Sequence, residues 1–581
     1  MLMEFTTYQV YIKEKPFLTE ERDEYPRTAI ITFLDRNQNE AGKIERAYLD
    51  AEEIYKQIDQ NEEVVLNNCY VRNFSLSVYR KSRDLPSNKR ILLNKFSACN
   101  AIFDSEESTD FSYSYFTDFF KNFENALFLH GKVIFHNALF RKGGVNFRNA
   151  AFHDGFFDFS YAEMEGGELN FTNTFFAEGK KNFQNSKFGE GKVLFQNTSF
   201  GKGDVSFVDT QFDKGVISFK ASTFQEGKVD FHFASFGTCD LSFEQADLGS
   251  GKVDFRKTEW NNSKINFNRA VFGTGDKLFE AAQIVDGKIT FKKTDWGDGI
   301  KNFELIEFQG TTMLMDKSIL GKGELSFNGA TLESLSLKSC HLNYYVDLRV
   351  KSCAYIDLSD TIIRDILDIR PFPERIQING INFSGLRLIG RIFMDWQSNH
   401  MKDLIKNQAN TTTREKAEQF RILKENFFST GHYSDEDKAY VEFKRQERKA
   451  KRKEAIGRNR WNSLWVYPSH AFQWLIFDKA GLYATSPLRV FVSMLISYVM
   501  FALLYYILPM TADTKIVSSL SNTDLSDLSI AFYHSAITFL TIGYGDYYPT
   551  GIIRWLCGIE GFTGLFLMSY FTVAFVRKIL R

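Results

Sequence analysis

The sequence predicts a multidomain chain: a right-handed β-solenoid, a helical hairpin connector, and an all-α membrane unit of two spans with a loop dipping between them. Three observations carry that prediction. Phe recurs every twelve residues through the middle of the chain, two capping-box spacings open helical patterns after residue 410, and two long apolar runs stand near the end. With 581 residues there is room for several domains. A formal net charge of −1 excludes a global field that would draw the chain to nucleic acid. Six scattered cysteines without a CxxC pair read as free thiols, neither disulfides nor zinc ligands. The nine histidines are scattered, and no Ser/His/Asp set, HExxH or Walker loop is present. The expectation is therefore no enzyme and no cofactor.

Residues 1–95 lack the repeat and read as a mixed N-terminal cap, which a solenoid needs because an open strand edge invites further strands. Residues 96–332 hold the repeat. Phe stands at twelve-residue steps from Phe123 to Phe303, and Met315 and Phe327 continue the register. Five residues after each comes a second large apolar residue, as in Phe140, Phe152 and Phe176, with a small residue two before it. Val, Ile or Leu usually precedes the first Phe by two, and Gly usually precedes it by four, so the unit is G-K-V-x-F-x-x-[A/T]-x-F-x-x. Val-x-Phe and Ala-x-Phe have the two-residue period of a strand, and fixed self-similarity at this scale marks a solenoid. The step of five resembles the pentapeptide-repeat solenoid, here broken into alternating steps of five and seven. That resemblance implies a four-sided coil of about 24 residues, with Phe stacked on Phe and coils about 4.8 Å apart. Some 200 residues would make roughly eight coils, about 40 Å long. Residues 333–409 lose the Phe period but keep strand alternation and read as irregular terminal coils. Residues 131–330 carry 24 Lys plus Arg against 26 Asp plus Glu, too balanced for a DNA mimic. The solenoid is expected either to act as a rigid scaffold or to offer a surface to an unidentified cytoplasmic ligand or protein.

Residues 410–460 read as the helical hairpin. Thr412 with Glu415, and Ser434 with Asp437, have capping-box spacing, and Gly431 falls where a helix would end. The second arm runs into KRQERKAKRK, either a solvated face or a contact for anionic headgroups. Residues 461–485, with Trp461, Trp465, Tyr467 and Trp474, read as a juxtamembrane aromatic belt.

Residues 486–581 form the membrane unit. A first span is expected at 488–508, closed by Pro509, and a second at 552–576, each long enough for a bilayer core of about 30 Å. Between them lie a polar loop, a short apolar helix at 527–540 with Ser526 or Asp524 as its cap, and TIGYGD at 541–546. This string resembles the potassium-channel filter signature, and the likeness extends through Asp546 to Pro549. The resemblance implies a prokaryotic-type two-transmembrane potassium channel. Rings of carbonyls from Thr541, Ile542, Gly543 and Tyr544 would replace the hydration shell of K⁺. Gly543 and Gly545 supply backbone conformations that only glycine reaches cheaply. One filter loop per chain then implies a homotetramer in a lipid bilayer, with K⁺ the permeant species. Pro549 and Glu560, a carboxylate inside the second span, are expected to support the filter, the latter toward His534. Gly561 and Gly564 are candidate hinges of the inner helix. Rival readings are a less selective cation channel and a non-conducting, membrane-tethered scaffold. The Lys/Arg-rich segment before the first span places both termini on the cytoplasmic side of the inner membrane, and MLMEFTTYQVYIKEK has no apolar signal-peptide core. With Arg581 soon after the second span, gating input is expected from the N-terminal side, through the first span.

Overall fold

In the computed structural model the described residues are 5–18, 24–371, 377–459, 461, 463–519 and 525–580. Asp524 and Arg581, named above, lie outside them. The chain divides into two units, Met1–Gln408 and Ala409–Arg581.

The first unit is a β-solenoid of about 14 turns and about 24 residues per coil. Parallel pairing repeats at that step, as in Val205↔Val229, Val229↔Val253 and Val253↔Lys277. One coil shows its four sides at Val205–Ser206, the two ends of Gln211–Ser218, and the bridge residue Thr223. The turn count exceeds the eight inferred from the Phe repeat. Parallel pairing already begins at Ala47↔Cys69, where Leu and Val take the interior positions while Tyr48 and Tyr70 face the front sheet, and it continues to Leu367↔Ile392. Two late coils shorten to 21 residues (Leu325↔Val346, Val346↔Leu367), and the last lengthens to 25 (Leu367↔Ile392). At the front, an antiparallel sheet of Thr7–Lys13, Thr28–Leu34 and Glu40–Asp50 joins the ladder. Two short helices, α1 (Ala51–Asp59) and α2 (Leu76–Ser82), lie beside it, and α3 (Met401–Lys406) closes the unit.

The twelve-residue Phe builds two interior columns. Phe195, Phe219 and Phe243 stack at 4.9 and 4.6 Å, and Phe207, Phe231 and Phe255 at 4.8 and 4.7 Å. The columns meet edge to face (Phe219–Phe231, 86°), the geometry that aromatic quadrupoles favour. The small residue after each Phe has a use beyond size. Hydroxyls of Thr198 and Thr210 donate to the carbonyls of Phe171 and Phe183, satisfying acceptors inside the core. Glycine is obligatory where coils touch. A Cβ on Gly215 (φ 138°) would lie 1.7 Å from the Gly191 carbonyl oxygen.

Four lysines break the interior pattern. Lys121, Lys181, Lys277 and Lys301 occupy the Val position and are fully buried. The Lys181 ammonium donates to the carbonyls of Ala177, Gly179 and Lys202 at 2.8–2.9 Å. Burial pushes each of the four down to about 8.

In the second unit, helices α4 (Thr413–Ser429) and α5 (Tyr433–Arg458) form the hairpin. Thr412 and Glu415 close the expected capping box. Gly431 (φ 76°) ends α4 as expected, with His432 N–H donating to Phe427 and Gly431 N–H to Phe428, a Schellman pattern. The second box is corrected: α5 is capped at His432, Ser434 lies inside its first turn, and the Asp437 carboxylate serves ion pairs instead. Helix α6 (Ser463–Gln473) and a π-helical turn, Trp474–Lys479, carry the aromatic segment, with Trp461 and Trp465 largely exposed. Helices α7 (Pro487–Thr511) and α9 (Ile553–Ile579) are long and apolar enough to span a membrane, with the shorter α8 (Asp527–Phe539) between them. Pro509 does not end α7, which continues to Thr511. So near a C-terminus a proline forfeits little of the helical ladder.

Candidate functional site

The TIGYGD loop hangs between the end of α8 and the strand Tyr547–Pro549. Ser526 caps α8 through the Ser529 N–H. At its other end the Ile542 N–H donates to the Ile537 carbonyl at 2.8 Å, so the loop starts directly from the last helical turn. Thr541, Gly543 and Gly545 have positive φ (56°, 66° and 79°), while Ile542 and Tyr544 do not. A Cβ built on Gly543 or Gly545 would meet no atom of the same chain within 4 Å. Glycine is therefore required there for its φ, not for space.

Contacts that the sequence reading missed brace the loop. Tyr533 on α8 donates to the Asp546 carboxylate at 2.7 Å, tying the helix to the end of the loop. The strand Ile516–Ser518 pairs antiparallel with Tyr547–Pro549, placing Pro549 opposite Ile516. Ser519 donates to the Asp546 carbonyl through its N–H at 2.8 Å and its hydroxyl at 3.1 Å. Tyr at helix position 533 and Ser in a polar loop carry no motif, which is why they went unread.

Glu560 is fully buried on α9. Its carboxylate accepts from the Tyr505 hydroxyl of α7 at 2.5 Å and from the Ser535 hydroxyl of α8. One side chain thus joins all three helices. The expected approach to His534 is corrected: the His534 ring sits against Tyr505 and its Nε2 lies 3.2 Å from Cys557 Sγ, because the two hydroxyls already occupy the carboxylate. The two hinge candidates separate. A Cβ on Gly564 would fall 2.0 Å from the Phe539 carbonyl oxygen, so this glycine lets α9 pass the end of α8. On Gly561 it would lie 3.8 Å from Thr538, an ordinary contact.

Residues 493–581 match the family model described as ion channel. Residues 493–581 are thus similar to an ion-channel domain. No curated protein and no solved structure matches the chain. The match and the two apolar helices make this a membrane protein.

Within the second unit the C-terminal end of α9 is held by the hairpin. Arg577 lies 3.0 Å from Asp437 and 3.5 Å from Glu436, and Lys578 lies 2.7 Å from Asp437. The Arg577 guanidinium also stacks 4.5 Å over the Tyr440 ring. Nearby, Arg445 and Arg448 close on Asp478 at 2.7 and 3.3 Å, and the Tyr570 hydroxyl accepts from the Ala484 N–H at 2.9 Å. Part of the basic run is therefore consumed internally. The hairpin thus contacts the second span directly as well.

Proposed function

We propose that the protein is a potassium-selective channel subunit that conducts passively as a homotetramer. The observation that carries this reading is the alternating left-handed backbone at Thr541, Gly543 and Gly545, in a loop tied at Asp546 and starting from a short helix. Carbonyls of Thr541, Ile542, Gly543 and Tyr544 form a quarter of each K⁺ ring. Glu560 supports the filter by holding α8, and Gly561 is the place on α9 with room to bend. Purified protein in liposomes should pass K⁺ and exclude Na⁺, and Gly543→Ala should abolish the selective flux. Equal K⁺ and Na⁺ flux would make this a nonselective cation channel, and no flux a tethered scaffold; either overturns the reading.

Both termini are placed in the cytoplasm, following the positive charge of α5. The solenoid then modulates the pore through the hairpin's hold on Arg577 and Lys578. A signal can shift the gate only by its differential affinity for open and closed states. The double variant Glu436→Gln, Asp437→Asn should change open probability severalfold, with selectivity and unitary conductance preserved. An open probability identical to wild type would remove the hairpin from gating.

A further inference from the structure

The first unit contains a cavity of about 400 Å³ between the front antiparallel sheet and one flank of the solenoid. Small-molecule sites commonly fall in this size range. Its two sides differ in chemistry. Phe33, Ile44 and Leu127 contribute apolar surface, and the Phe5 ring lies 4.6 Å from that of Phe33 and 4.4 Å from that of His153. The opposite side is a column of asparagines at 24- and 25-residue steps, Asn100, Asn125, Asn149 and Asn173. Every one has φ between 54° and 58°, a left-handed conformation that Asn tolerates better than most residues. Their amides form a ladder, each Nδ2 donating to the Oδ1 one coil back at 2.9–3.1 Å from Asn125 to Asn173. Each amide therefore spends one N–H along the ladder and retains a second.

Arg46 stands at the rim. Its Nε donates to the Asn100 carbonyl and its Nη1 to the Glu45 carbonyl, both backbone groups. Burial alone holds this guanidinium below its ordinary value, and no carboxylate is among the residues lining the cavity. His153 Nε2 is buried without a hydrogen-bond partner. Leaving a buried polar atom unpaired is costly, and the half-buried Arg46 guanidinium is partly desolvated, its hydrogen bonds going to backbone carbonyls. Both deficits vanish if an anion with hydrogen-bonding groups occupies the cavity while its flat part lies among Phe5, Phe33 and His153.

We infer that this cavity binds a small organic anion carrying a planar ring, with the negative group on Arg46 and the asparagine column and the ring in the aromatic pocket. The shared chemistry covers phosphates and carboxylates. The site lies wholly in the solenoid unit, so its occupancy is read without reference to conduction.

The test is calorimetric titration of the full-length protein in detergent with adenosine 5′-monophosphate and, separately, with indole-3-acetate. Saturable binding of either supports the inference, and the one that binds decides between phosphate and carboxylate. Arg46→Gln should weaken that binding about tenfold or more, as expected for a lost charged hydrogen bond, and Arg46→Lys should retain most of it. Ile44→Trp, which fills the apolar side, should abolish it and serves as the deciding variant if Arg46→Gln lowers the melting temperature. The inference is overturned if neither probe saturates below about 1 mM, or if binding survives Ile44→Trp unchanged.

Discussion

The solenoid and the channel unit solve opposite problems. In the solenoid one chain completes its own core: Phe207, Phe219, Phe231 and Phe243 are all fully buried, and each coil's backbone groups bond to the next. In the channel unit one chain leaves its most conspicuous residues bare. Tyr544 is 71% exposed and Ile542 47%, beside Trp555 at 80% and Phe562 at 73%. Part of that apolar surface suits lipid, but a filter loop does not face lipid, because its backbone must be covered by protein or line a water-filled path. The contrast separates an element that is finished within a chain from one that, in the proposed tetramer, is finished by copies of the chain.

The largest effect that would sharpen this division is in the solenoid core. Phe219→Ala removes a ring from the middle of one column and should cost about 3–5 kcal/mol of solenoid stability, measured by denaturant unfolding. Selectivity in liposomes should remain as in wild type. Loss of selectivity with an intact melting transition would break the division, since the solenoid core would then be shaping the filter.

A smaller effect concerns the lysines. Lys277 sits in the same column as Val229 and Val253, with Lys301 one coil further. Its folded value of about 8 lies below the ordinary 10.5. Below pH 8 both folded and unfolded states hold the proton, and the cost of burial is fully present. Between pH 8 and 10.5 only the unfolded state holds it, so stability rises with pH across that window. Lys277→Met should therefore raise solenoid stability at pH 7 by roughly 1 kcal/mol, and the advantage should shrink by pH 10. A lower melting temperature for the variant at pH 7 would mean that the carbonyls of Gly273 and Asp298, which the ammonium bonds, outweigh its desolvation.

What could be read in advance divides along similar lines. The Phe period was legible because each coil repeats the same demand on the same positions. The early coils were not, since Leu49 and Val71 fill the interior without that period. A lysine two before Phe looks like a surface residue, and nothing local reveals that carbonyls of its own and the next coil cap it. The asparagine column did carry a signal, Asn two residues after Phe123, Phe135, Phe147, Phe171, Phe183 and Phe195, and its left-handed backbone explains it. In the channel unit the glycines and the short helix announced themselves through spacing. Glu560 stood out as a charge inside a span, but its partners Tyr505 and Ser535 did not, because their meeting depends on how three helices pack. The same holds for Asp437 with Arg577, which are 140 residues apart.

The claim that the filter is finished by copies is tested most directly by mixing subunits. Wild-type and Gly543→Ala chains, carrying different tags, are co-expressed in equal amounts and reconstituted together, and selective K⁺ flux is measured per unit of protein. If four chains share one filter and a single altered chain spoils it, the flux should fall to about one-sixteenth of the wild-type value. A fall to only about one-half would mean that each chain conducts alone, and would contradict the account.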